Sequence, residues 1–383
     1  MSANIKTIPL FPKSTDPIFI GTGGFRIGRV DNTIVRDPIT NIPKIPGSSL
    51  GGTWRYYMAM ELQNYFKTDF PDIKKVIDDK RVEKNIKDLV NRKADEILKD
   101  DKDSFKKRIE SFKKFADRIN DNVKDSNKWQ TYWGNLISGI RCSGQDELPE
   151  VSIELTEHNE KKSGHCGHCI VCKTFGFSKS DKSFQGLAHF SDLNILFFPV
   201  ATRKGVRWIT SKQILEDAGL NNNVEKKEKV LIVNESKENK NTEHLNLGWM
   251  NLKVKKEEIE INLDENKHPK LDKIVIVPDN LIAQIINSNL EVRTSVSIDP
   301  YTGAAKKGAL FTSEAIPRST YFYGEINIFD RPNIEKQKEN NILKTKMIKS
   351  ALEDSSKYYK SMGIGGMTTR GFGRIDMKFE KGE

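Results

Sequence analysis

The chain has 383 residues, with 63 Lys and Arg against 53 Asp and Glu, a formal net charge of +10 and a pI near 9.1. Its length supports one large elaborated domain or a domain with sizeable insertions, and its excess positive charge favours polyanionic partners, nucleic acid first. No apolar run approaches the roughly 20 residues a membrane span needs, and the opening Met-Ser-Ala-Asn-Ile-Lys-Thr-Ile-Pro has no signal-peptide core, so the chain is expected in the cytoplasm with no membrane partner.

The first part, residues 1–66, begins with an extended piece, Ile18-Phe19-Ile20, that ends in the turn Gly21-Thr22-Gly23-Gly24. Asp31 lies between two glycine-bearing turns, and in Asn32-Thr33-Ile34-Val35 after it the β-branched Thr33, Ile34 and Val35 predict a strand. Pro38 biases Asp37 away from helix. The run Pro46-Gly47-Ser48-Ser49-Leu50-Gly51-Gly52 opens a helix with Trp54, Tyr57, Met58, Glu61 and Leu62 at helical spacing, ending near Phe66. Ser48 and Ser49 sit where an N-cap belongs. A glycine-rich turn feeding a helix start leaves unpaired N–H groups and the positive dipole end outward, which makes either a simple cap or a seat for phosphate. A carboxylate near such a seat suits holding a metal or a water against a phosphodiester, whereas Asp31 taken alone reads as a turn residue.

Residues 67–128 are rich in Lys, Asp and Glu with sparse apolar residues at helical intervals, which predicts a helical insertion with a solvated face. Globular character returns over 129–220 and includes the four cysteines of the chain. Cys142 sits in Arg-Cys-Ser-Gly, and His165-Cys166-Gly167-His168-Cys169-Ile170-Val171-Cys172 follows. In a reducing compartment such cysteines are metal or redox groups before they are disulfides. Cys166, Cys169 and Cys172 pack three soft ligands onto one tight turn, and Cys142 completes a tetrahedral Zn2+ site with His165 and His168 in reserve. An iron–sulfur cluster uses similar spacing. A closed four-ligand set (142–172) has no open position, so its expected task is to pin a loop. His189 precedes Asn194–Val200, whose continuous apolar run from Ile195 predicts a buried strand, and reads as a packing residue or a general base.

A second charged insertion spans 221–270, broken by Leu245, Leu247, Trp249 and Met250, and is expected to be irregular or a hairpin. Core character resumes over 271–383, first at Ile274–Val277. Alternating residues on both sides of Asp299-Pro300-Tyr301-Thr302-Gly303 predict a projecting hairpin at about 293–311. Arg293, Lys306 and Lys307 make it basic, and Tyr301 offers a stacking surface. A helical run from Leu352 to Tyr359 then leads into a glycine-rich loop, 363–374. There Gly365, Gly366 and Gly371 let backbone N–H groups approach phosphates, and Arg370 and Arg374 add charge.

The stretch Gly-Arg-Val-Asp-Asn-Thr-Ile-Val-Arg-Asp-Pro from Gly28 to Pro38, followed by Ile45-Pro46-Gly47-Ser48-Ser49-Leu50, resembles the N-terminal signature of RAMP-superfamily backbone subunits of type III CRISPR effector complexes. Phe197-Phe198-Pro199-Val200, the hairpin and the C-terminal loop agree with it. The resemblance implies an α+β, ferredoxin-like (RRM-like) core in which a β-α-β-β-α-β arrangement brings the two glycine loops together, with a helical insertion, a zinc-binding loop and a thumb-like hairpin that intrudes between bases of a guide–target duplex. It implies that Arg36, Ser48, Ser49, Arg55, the hairpin residues and the C-terminal loop bind guide crRNA, and that Asp31 cleaves complementary target RNA with Mg2+ or another divalent ion. Other effector subunits and further copies of the chain are the implied partners. One departure is Gly51, where the family carries Lys, so that a phosphate contact is lost or passes to Arg55. Two other readings stand beside this one: a non-cutting crRNA-binding scaffold, and a metal-independent repeat-processing ribonuclease using His189 or another histidine.

Overall fold

The computed structural model describes residues 4–23, 30–67, 142–143, 165, 169–178, 183–220, 231–234, 244–257, 260–263, 268–330 and 345–379. The fold is mixed α/β around a large sheet. The chain divides into two compact units, the first made of Met1–Thr7, Gly51–His189 and Asn327–Ser356, the second of Ile8–Leu50, Phe190–Ile326 and Lys357–Glu383. Among the described residues the α-helices are α1 (Gly47–Lys67), α2 (Ile170–Phe175), α3 (Lys212–Asp217), α4 (Asp279–Ser288) and α5 (Thr345–Ser361).

The second unit holds β1 (Lys13–Ser14), β2 (Lys44–Ile45), β3 (Leu193–Thr202), β4 (Gly205–Thr210), β5 (Leu231–Asn234), β6 (His244–Leu247), β7 (Met250–Glu257) and β8 (Ile274–Ile276). It continues with β9 (Glu291–Ile298), β10 (Ala305–Ala315), β11 (Tyr321–Asp330, as far as Ile326 in this unit) and β12 (Ile375–Asp376). The sheet runs β6-β7-β5-β8-β4-β3-β11-β1-β12, with β2 also paired to β3. β3 lies in its interior: Leu193, Ile195, Leu196, Phe197, Phe198 and Val200 are all buried, so both faces are covered, which is why the run is apolar on both faces rather than alternating. α4 adds Ile282, Ile285 and Ile286, one helical stripe, to this core. The described part of 221–270 supplies β5 and the β6–β7 hairpin, with β7 parallel to β5, so this charged stretch extends the sheet. β9 and β10 form a separate two-stranded antiparallel sheet, the hairpin expected from the sequence.

In the first unit the predicted helical face is observed: Trp54, Tyr57, Met58 and Glu61 on α1 are buried. The Trp54 indole donates to the Leu352 carbonyl and to Ser355 Oγ, each at 3.1 Å, so its polar edge is satisfied inside a core that includes Ile348, Ala351 and Leu352. The charged stretch 68–128 lies outside the described residues. No described helix is long and apolar enough to cross a membrane.

Candidate nucleic-acid interface

Residues 31–36 do not form a continuous strand; they are extended and make alternating single bridges, Asn32 to Ser313, Ile34 to Gly21 and Arg36 to Pro43. Asn32 N–H donates to the Thr312 carbonyl at 3.0 Å, and Glu314 N–H donates back to the Asn32 carbonyl at 3.0 Å. The strip thus lies along the base of β10 and presents Asp31 there. Asp31 is exposed, yet its Oδ2 accepts from Thr312 N–H at 2.7 Å and from Thr312 Oγ1 at 3.0 Å, while Asp31 N–H donates to Thr312 Oγ1 at 3.1 Å. The backbone bond from Thr312, and then its hydroxyl, hold the Asp31 carboxyl below its ordinary value. Arg36 is turned to protein partners: it pairs with Glu314 at 2.7 Å and donates to Asn287 Oδ1 at 2.8 Å and the Ile34 carbonyl at 3.0 Å.

The start of α1 departs from the expected serine cap. The helix begins at Gly47, with Ser48 and Ser49 inside its first turn, and the cap comes from far along the chain: Gly47 N–H donates to Asp192 Oδ1 at 2.7 Å. A Cβ at Gly47 would run into the Phe190 carbonyl, so the close approach requires glycine. Lys44 bridges Asp192 at 2.7 Å and Asp37 at 3.2 Å. Asp37 also accepts from Thr40 N–H at 2.9 Å and Ile39 N–H at 3.0 Å, and these bonds, the Thr40 one foremost, with the Lys44 charge bring its pKa to about 2. Burial pushes the Asp192 carboxyl up, but the bonds from Lys44 and Gly47 outweigh it and lower the pKa; Lys44 is raised, chiefly by its bond to Asp192. One N–H of the anticipated anion seat is therefore already filled by an internal carboxylate. Ser48 stays exposed and Ser49 is half-buried.

The C-terminal loop packs its backbone against the N-terminal segment. Gly366 N–H donates to the Phe19 carbonyl at 3.0 Å, and Gly373 N–H to the Pro17 carbonyl at 2.8 Å. At Gly365, φ is 82° and a Cβ would meet the Phe19 carbonyl, so glycine is demanded twice over. Arg293 on β9 pairs with Glu291 at 2.6 Å, donates to the Gly371 carbonyl at 3.2 Å and stacks 4.7 Å from the Phe372 ring. The hairpin base therefore touches both the Asp31 strip and the glycine loop, the two regions the sequence singled out at opposite ends of the chain. Arg370 and Arg374 are exposed, the latter 3.4 Å from Asp16.

At the hairpin tip Asp299 Oδ1 accepts from Tyr301 N–H at 2.8 Å, which shapes the turn, and Tyr301 is 98% exposed. Lys306 is exposed and Lys307 follows it on β10. Val296 and Leu310 face each other across the strands and are 45% and 66% exposed, an apolar face on a projecting element.

In the first unit Cys142, Cys169 and Cys172 are buried and their sulfurs lie within 4.8 Å of one another. Tetrahedral thiolates about 2.3 Å from zinc sit about 3.8 Å apart, so the set fits a metal with slight contraction. Cys169 caps α2, its sulfur accepting Cys172 N–H at 3.4 Å. Arg55 donates to the Cys142 carbonyl at 2.8 Å and to His165 Nδ1 at 3.0 Å, so Arg55 braces this loop and the reserve ligand His165 accepts from it through Nδ1. Cys166 and His168 lie outside the described residues. His189 packs edge-on 4.6 Å from Phe329 with Nε2 shielded from solvent, the packing arrangement. Thr312, Glu314, Lys44 and Asp192 were not legible as site residues, since each works through a partner remote in sequence.

A model of the RAMP superfamily matches residues 13–376. The chain is similar to the CRISPR system Cmr endoribonuclease Cmr4 of Pyrococcus furiosus, 27% identical over 268 residues that cover 64% of this chain and 83% of that protein. It is also similar to the Cms endoribonuclease Csm3 of Streptococcus thermophilus, 58% identical over 33 residues, or 9% of this chain and 15% of that protein. Among solved structures, the type III-B Cmr-beta complex bound to cognate target RNA contains a chain matching 98% of this one over 97% of its own length at 11% identity and a TM-score of 0.50, a likeness of fold alone.

Proposed function

The chain belongs to the RAMP superfamily, and from that premise we propose that it is a backbone subunit of a type III CRISPR effector complex that binds guide crRNA and cuts complementary target RNA at Asp31. The observation that carries the reading is an exposed carboxylate fixed at the base of a projecting hairpin whose other strand touches the C-terminal glycine loop. With one oxygen committed to Thr312 and its pKa depressed, Asp31 stays anionic at neutral pH and is a weak base. That character suits holding a divalent ion or orienting the attacking 2′-hydroxyl. Mg2+ or another divalent ion supplies charge neutralisation at the phosphodiester when bound.

In this reading exposed Ser48, half-buried Ser49, Lys306, Lys307, Arg370 and Arg374, with the backbone of Gly365, Gly366 and Gly371, contact guide phosphates, and Tyr301 stacks on a base. Arg36, Arg55 and Arg293 act through the protein groups they hold. The cysteine set binds structural Zn2+ and fixes its loop. Further copies of the chain and other effector subunits complete the assembly.

The test is a guide-loaded complex reassembled with Asp31→Ala and given matched RNA, with Mg2+ and with excess EDTA. Lost cutting with retained binding supports the nuclease. Undiminished cutting leaves Asp31 a brace in a scaffold, and cutting that persists in EDTA points to a metal-independent ribonuclease.

A further inference from the structure

We infer that Thr312 is a positioning residue for Asp31, so that the hairpin strand aims the carboxylate; this rests on the nuclease reading above. Thr312 meets Asp31 three times. Its N–H and its hydroxyl both reach Oδ2, at 2.7 and 3.0 Å, and its hydroxyl oxygen accepts Asp31 N–H at 3.1 Å. A hydroxyl that donates to the side chain and accepts from the backbone of the same residue fixes both ends of the Asp31 rotor. One carboxylate oxygen, Oδ2, is thereby committed to Thr312.

The location of Thr312 gives the contact its meaning. Thr312 stands opposite Thr294, in the row next to the exposed pair Val296 and Leu310. Neighbouring rows on one face of a strand are about 7 Å apart. A duplex engaging that apolar face therefore lies one row from the carboxylate, and any movement of β10 is passed to Asp31 through Thr312. Asn32 and Glu314 tie the backbone of the strip to the same strand, so the register does not depend on the Thr312 hydroxyl. The hydroxyl contributes aim, not fold.

The experiment compares guide-loaded complexes carrying wild-type chain, Thr312→Val, Thr312→Ser and Asp31→Ala, measuring single-turnover cleavage of matched RNA and its binding separately. Valine keeps the shape and the backbone N–H bond and removes the hydroxyl. Thr312→Val is expected to slow cleavage by about tenfold or more with binding unchanged, since small misplacements of a reacting group cost this much. Thr312→Ser is expected to recover most of the rate. Wild-type cleavage by Thr312→Val beside an inactive Asp31→Ala overturns this inference and leaves the nuclease reading standing. Equal loss in the valine and serine variants overturns it also, because the rate then does not follow the hydroxyl. Cleavage by Asp31→Ala at the wild-type rate overturns the nuclease reading itself.

Discussion

The cysteine loop of the first unit and the Asp31 strip of the second solve opposite problems with the same means, a hydrogen-bonded frame around a reactive group. Cys142, Cys169 and Cys172 are enclosed, and a buried histidine and Arg55 close the frame around them. Asp31 is open to solvent, and its Oδ2 is held by the backbone and hydroxyl of Thr312. Enclosure suits a metal that holds structure, because nothing can enter; an anchored, exposed carboxylate suits chemistry on a partner that arrives from outside.

The sharpest way to break that contrast is at Asp31. Asp31→Asn keeps the shape and removes the charge, and target cleavage is expected to fall by about 10²–10⁴-fold, with RNA binding retained in a gel-shift measurement. Cys172→Ser is expected to act differently: zinc content drops, measured by metal analysis of the purified chain, and thermal unfolding moves down by an amount equivalent to several kcal/mol. Were Cys172→Ser to abolish cleavage while the unfolding temperature held, the enclosed site would carry chemistry and the contrast would fail.

Smaller effects sharpen the picture of the second unit. Tyr301→Ala, at a tip that is 98% exposed, is expected to weaken matched-duplex binding by about 1–3 kcal/mol without altering the fold. Asp37→Asn tests the loop before α1. The folded pKa of Asp37 is about 2 against an ordinary 3.8, so its stabilising contribution is complete above the ordinary value and is lost as pH falls toward 2. The variant is expected to be less stable by about 1 kcal/mol at pH 7, with the gap closing between the two values in acid-unfolding curves.

Much of this was legible in the residues themselves. Apolar spacing gave the buried face of α1, the continuous run gave β3, and the Asp-Pro-Tyr-Thr-Gly turn gave the hairpin, because each is a local pattern with a local cause. Asp31 stood out through its neighbours and the family resemblance. The partners that set it were hidden: Thr312 is an ordinary strand threonine, and Asp192 caps a helix that begins 145 residues earlier. Ser48 and Ser49 looked like caps because serine before a helix is a local signal, and the remote carboxylate overrode it. The protein partners of Arg36 and Arg55, Glu314 and the Cys142 carbonyl, were equally hidden, since both are remote in sequence.

The separation of 281 positions between Asp31 and Thr312 has a consequence for biosynthesis. The acid leaves the ribosome well before the strand that orients it; β1 likewise waits for β12, its neighbour at Ile375. Closing such long loops is slow, and it waits until the later strand has been made. A nascent or prematurely terminated chain therefore carries the acid without its alignment, and such fragments are expected to leave cellular RNA intact.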